Sequence, residues 1–250
     1  MEIKAESLNE KPLIGIIGAT TPTTPYHFSQ GFEVGYEVRK VIQESMGTVF
    51  TGGVEGIGTD AYAGVVKYCI DEGIRTGIVP KDKFFVVIPK KIEFIDWKTK
   101  EKQVYPYSPP EMYNLLAKLL SDKSLDIVRA GNNMYERRLG LSSLADLLIV
   151  VNGGPGTDHE AHACLELGKR VIACSYTGGT AELLKVVKNE EPLPKKHKGM
   201  MKFLEGMFIE ENSMKNLAPE PLNFESIDKR LINVVDSKEE LVKELKRLVR

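Results

Sequence analysis

Leu147-Leu148-Ile149-Val150-Val151-Asn152-Gly153-Gly154-Pro155-Gly156-Thr157-Asp158-His159-Glu160 decides how this chain is read. The apolar run 145–151 reads as a buried strand. The run 161–167, Ala-His-Ala-Cys-Leu-Glu-Leu, is made of good helix formers. A strand therefore stops, turns on glycines and restarts as a helix. Glycines let the backbone take φ > 0 and let a ligand approach without a Cβ in the way. The first N–H groups of a helix lack intrahelical partners and sit at the positive end of its dipole. Such a turn suits a phosphate. Thr157 is placed to cap the helix and to offer its hydroxyl to the anion. Glu160, one turn further in, puts a carboxylate on the rim of the same pocket.

Outward from this stretch, strands and helices alternate. Leu13–Gly18 reads as the first buried strand, and Gly18 ends it where open α/β sheets bind ligands. The loop 19–25 is too rich in Pro and Thr for a helix. Residues 30–45 have helical periodicity, 48–51 reads as strand two, and 52–58 is a second glycine-rich turn containing Gly52 and Gly53. Helix 59–73 and strand 84–89 follow. Residues 111–120 form an amphipathic helix whose Met112, Leu115, Leu116 and Leu119 are expected in the core. Strand 125–131 precedes a helix that carries Met134, Arg137 and Arg138 and ends near 144. Strand 170–174 leads through Gly178-Gly179-Thr180 to helix 181–188. A late strand, 231–235, leads to a terminal helix capped by Ser237 with Glu240. The expected fold is α/β: one doubly wound, mainly parallel, Rossmann-like domain over 1–250, with excursions at 90–110 and 189–230.

The motifs resemble those of the LOG family, phosphoribohydrolases also called lysine decarboxylase-like proteins. Gly153, Gly154, Gly156, Thr157 and Glu160 match its PGGxGTxxE motif. Asn152 stands where that family has Pro, and His159 where it usually has a second acid. Met134, Arg137 and, by charge, Arg138 match its MHxRK segment, with Tyr135 in place of His. The turn at 52–58 is similar to its GGG-x-x-G turn, with Val54 for the third Gly, and Pro25-Tyr26 resemble a Pro and Tyr after its first loop. Together the matches span roughly residues 13 to 185. The resemblance implies cleavage of the N-glycosidic bond of a nucleoside 5′-monophosphate to free base and ribose 5-phosphate. Gly18, Gly52, Gly53, Met134, Gly153, Gly154, Gly156 and Thr157 would hold the nucleotide, and Arg137 and Glu160 would be catalytic. It implies no cofactor and a homo-oligomer. The alternative is a binding module that senses an AMP-type nucleotide without chemistry. A decarboxylase is rejected, because no pattern places a Schiff-base lysine at this pocket.

Composition narrows the field further. The chain has 250 residues and a formal net charge of −1, so no global basic field argues for nucleic acid or an anionic membrane. The sequence shows neither a signal-peptide h-region nor an apolar run of membrane-spanning length, and a cytoplasmic location is expected. Cys69, Cys164 and Cys174 have no CxxC spacing and read as reduced core residues. His159 and His162 lie three apart without an H-E-x-x-H pattern, which is insufficient for zinc.

Overall fold

Seven parallel strands form one sheet in the computed structural model, which describes residues 11–80, 83–90, 108–120, 125–132, 134–193, 223–224 and 226–249, with the backbone of 92–95 and 102–105. The strands of this sheet are β1 (Leu13–Gly18), β2 (Thr48–Thr51), β3 (Phe84–Ile88), β6 (Asp126–Arg129), β7 (Leu147–Val151), β8 (Arg170–Cys174) and β9 (Ile232–Val235). Their spatial order is β6-β3-β2-β1-β7-β8-β9. β4 (Ile92–Ile95) and β5 (Lys102–Tyr105) pair antiparallel as a separate ribbon, the hairpin within the 90–110 excursion. Most of the 189–230 excursion, including a helix expected near 200–207 and turns at 215–221, lies outside the described residues.

The described helices are α1 (Phe28–Ile42), α2 (Ile57–Thr76), α3 (Glu111–Lys118), α4 (Met134–Leu144), α5 (Pro155–Glu166), α6 (Gly179–Lys188) and α7 (Lys238–Leu248). They cover both faces of the sheet, as a parallel sheet with continuous apolar strands requires. Alternation along each strand sorts the side chains. Ile14, Ile16, Leu147, Ile149 and Val151 point to the face packed by α1, α2, α3 and α7. Ile17, Leu148 and Val150 point to the face packed by α4, α5 and α6. Among the described residues no helix is long and apolar enough to cross a membrane. The three cysteines are free and buried.

Two expectations fail on local geometry. The helix after the central turn starts at Pro155, and its cap is Gly154 rather than Thr157. Pro155 lacks an N–H and is preset to helical φ, so it opens the helix at its first position. The core face of α3 is Tyr113, Leu116 and Ala117, while Met112, Leu115 and Leu119 are exposed. Both sets have helical spacing. The buried one is chosen by Tyr113, whose ring stacks near Tyr62 and Phe84.

The chain leaves β1 toward β2 and β3 and later returns to add β7 on the other side. The strand order therefore reverses between β1 and β7, which are paired from Ile14↔Leu147 to Gly18↔Val151. Ligands of open α/β sheets sit outside the carboxyl ends of the strands at such a switch point.

Candidate functional site

A cleft of about 330 Å³ lies at that position. The loop after β1, the turn after β2, and the N-terminal parts of α4 and α5 enclose it. Gly18, Gly52, Met134, Arg137, Gly154, Gly156, Thr157 and Glu160 all line it. Gly53 and Gly153 do not. Gly53 has φ 65 and packs against Val86 and Ile88, so it serves the turn. Gly153 has φ 118 and packs against Thr180 on the far side of the glycine turn.

Three glycines at the cleft have different reasons to be glycine. A Cβ on Gly18 would strike the Val151 carbonyl and Ile57, so β1 could not lie against β7 and α2. A Cβ on Gly52 would strike the Arg137 guanidinium. Gly154 has φ −143, which any residue adopts, and no atom would lie within 4 Å of its Cβ. Its bareness faces open cleft above the first turn of α5, where an anion would rest. No side chain caps that turn.

Arg137 is 2% exposed and spends its guanidinium within the protein. Nε donates to the Val87 carbonyl at 3.1 Å, Nη1 to Glu160 Oε1 and Nη2 to the Gly52 carbonyl. One side chain thus ties β3, the turn after β2, and α5. The Arg137–Glu160 ion pair is buried, Glu160 being 6% exposed. The neighbouring Arg138 lies over the helix start instead: a Cβ on Gly156 would be 3.1 Å from its Nη2 and 3.5 Å from its Cζ. Arg138 lines the cleft beside the turn. The two adjacent arginines have separate tasks, one holding the carboxylate and the other adding positive charge at the helix N-terminus.

Asn152 is the residue that sequence reading undervalued. Its φ is 52 and it is fully buried. Its side chain brackets the loop after β1, since Nδ2 donates to the Thr23 carbonyl at 3.0 Å and Thr23 N–H donates to Oδ1 at 3.3 Å. Nδ2 also donates to the Thr177 carbonyl at 2.6 Å, and the backbone N–H donates to Thr177 Oγ1 at 2.6 Å. Three loops at the carboxyl edge are fastened through this residue. The signal was its position: an Asn directly before Gly-Gly tolerates left-handed backbone, whereas Pro is locked near −65°.

Asp158 is 1% exposed, and Thr180 Oγ1 sits 2.6 Å from its Oδ1 and 3.2 Å from the Gly154 carbonyl. Burial pushes the Asp158 carboxyl up to about 7, against the lowering effect of the Thr180 hydrogen bond. One hydroxyl proton cannot serve two acceptors well. A protonated Asp158 resolves this by donating to Thr180, which then donates to Gly154. His159 stacks on Tyr135 with centroids 4.9 Å apart. Burial, with the Arg138 charge second, pushes its imidazole down to about 3, so it is neutral at ordinary pH. Among the described residues no group of three or more His, Cys, Asp or Glu is arranged to hold a metal ion.

No family model matches the chain, and no curated protein matches it. Solved structures share its fold. The molybdenum cofactor binding protein from the phototrophic bacterium Rippkaea orientalis superposes with a TM-score of 0.51 at 15% identity, over 96% of this chain and 98% of that one. The Moco carrier protein from Chlamydomonas reinhardtii gives 0.48 at 17% identity, over 96% and 98%. DNA processing protein A from Helicobacter pylori gives 0.43 at 16% identity, over 79% and 82%. At such identities the likeness is one of fold. The chain is a Rossmann-like α/β protein.

Proposed function

We propose that the cleft binds the 5′-phosphate of a nucleoside 5′-monophosphate and that the protein hydrolyses its N-glycosidic bond. The observation that carries this reading is the placement of a buried carboxylate, Glu160, less than two turns along the helix whose bare N-terminus opens into the same cleft. Phosphate would rest on the N–H groups at Gly156 and Thr157, with Arg138 above. The ribose would then lie over Glu160. A carboxylate there binds ribose hydroxyls, orients water toward C1′ and offsets the positive charge that develops on the sugar as the C1′–N bond breaks. Arg137 is a positioning residue in this scheme: its guanidinium holds the Glu160 carboxylate in place.

The test is incubation of the purified protein with a panel of nucleoside monophosphates, read by chromatography for free base and ribose 5-phosphate. Release from one of them, abolished by Glu160→Gln, is expected. Full activity in Glu160→Gln would remove Glu160 from the chemistry.

A second reading, binding without turnover, is favoured by one feature: Arg137 already engages Glu160, so neither is a loose catalytic group. A solved structure that shares the fold is named as a molybdenum cofactor binding protein. Tight binding with no base release over the whole panel would establish this reading instead.

A further inference from the structure

The glycine turn has a second side. Beyond Gly154 and Pro155 lies another cavity, of about 510 Å³, which shares Ala19, Thr21, Gly154 and Pro155 with the first. Both are walled by the loop after β1 and by the ridge at the start of α5, a first lobe on one side and a second on the other. The second lobe runs between the loop after β1 and the start of α6, where Gly179 packs onto the Gly153 backbone.

The lobes differ in chemistry. The first has Arg137 and Arg138 among its lining. No Lys, Arg or His is among the residues that line the second; its ionisable groups are Asp158 and Glu182. Thr21, Thr23, Thr24 and Thr180 line it together with the aliphatic Leu183 and Val186. A second phosphate would meet the Glu182 carboxylate there and no cation to pair with. A neutral group with hydroxyl or amino functions would find hydrogen-bond partners and an apolar surface to lie against.

We propose that the second lobe is a subsite for a neutral, hydroxyl- or amino-bearing group attached to the ligand's phosphate, so that the phosphate on the ridge is a diester with a nucleoside on one side and this group on the other. The inference rests on the reading that phosphate sits at the start of α5. The loop after β1 roofs both lobes, and Asn152 fixes it at Thr23. The same residue therefore fastens a wall common to both lobes.

The test compares three ligands by calorimetry on the full chain: AMP, AMP esterified through its phosphate to ribose, and ADP. The ribose ester is expected to bind about tenfold tighter than AMP, the worth of one or two good hydrogen bonds, with ADP no tighter than AMP. In Val186→Trp, which fills the lobe from α6, the ratio of ester to AMP affinity is expected to fall to about one. AMP binding with no gain from the ester would overturn the second subsite while leaving the first. ADP binding as tightly as the ester would overturn its neutral character. Failure of all three to bind would overturn both the subsite and the nucleotide reading beneath it.

Discussion

Arg137 on α4 and Glu160 on α5 form a buried ion pair across the floor of the cleft, and the other two edges of the guanidinium are taken by the carbonyls of Val87 and Gly52. Removing one member leaves an uncompensated buried charge. Arg137→Met is expected to cost about 3–5 kcal/mol in urea unfolding. Adding Glu160→Gln should recover part of that loss, because the orphaned carboxylate is gone. Additive losses in the double mutant would show that the two residues do not act as a pair.

Asn152 should tolerate glycine far better than proline. Asn152→Gly keeps the left-handed backbone at φ 52 but drops the brackets to Thr23 and Thr177. A loss of about 1–3 kcal/mol is expected, with faster proteolysis in the loop 19–27. Asn152→Pro cannot reach that φ and also loses the N–H bond to Thr177, so soluble folded protein is not expected. Equal stability of the two variants would refute the strap.

The doubly wound sheet was legible because β1 and β7, at its centre, are apolar runs that end in glycine turns. Parallel strands buried on both faces need no alternation, and turns at their carboxyl ends need small residues. The position of the cleft followed from the same pattern. What was not legible depended on pairs distant in sequence. Nothing near Arg137 reveals that Val87, Gly52 and Glu160 would consume its guanidinium and pass the exposed role to Arg138. Two departures from the LOG-like motifs, Tyr135 and His159, looked independent in sequence, yet they are one stacked contact between α4 and α5. The wrong face of α3 had the same cause: two apolar stripes with equal spacing, separated only by what Tyr113 meets.

Asp158 predicts a pH dependence. An aspartate in an unfolded chain ionises near pH 4. In the fold, burial holds Asp158 protonated up to about 7. Between these values the folded state keeps a proton that the unfolded chain has shed. The stability this neutral carboxyl confers is complete below about pH 4 and drains away as pH rises toward about 7. Asp158→Asn is neutral throughout and can still donate to Thr180. Its melting temperature is expected to fall less than that of the wild type between pH 5 and pH 8. Parallel profiles would mean that Asp158 ionises normally.

Gly154→Ala separates binding from folding. The backbone there suits alanine and nothing would touch the new methyl, so stability should stay within about 1 kcal/mol of wild type. The methyl would nonetheless project over the first turn of α5. Nucleotide affinity is expected to drop at least about tenfold by calorimetry. Unchanged affinity would place the phosphate elsewhere.

The most direct test is a crystal structure of the protein soaked with whichever nucleoside monophosphate binds best. The account predicts phosphate oxygens within hydrogen-bond reach of the N–H groups of Gly156 and Thr157, the Arg138 guanidinium beside them and the ribose over Glu160. A phosphate bound away from the start of α5, or a ribose turned away from Glu160, would contradict it.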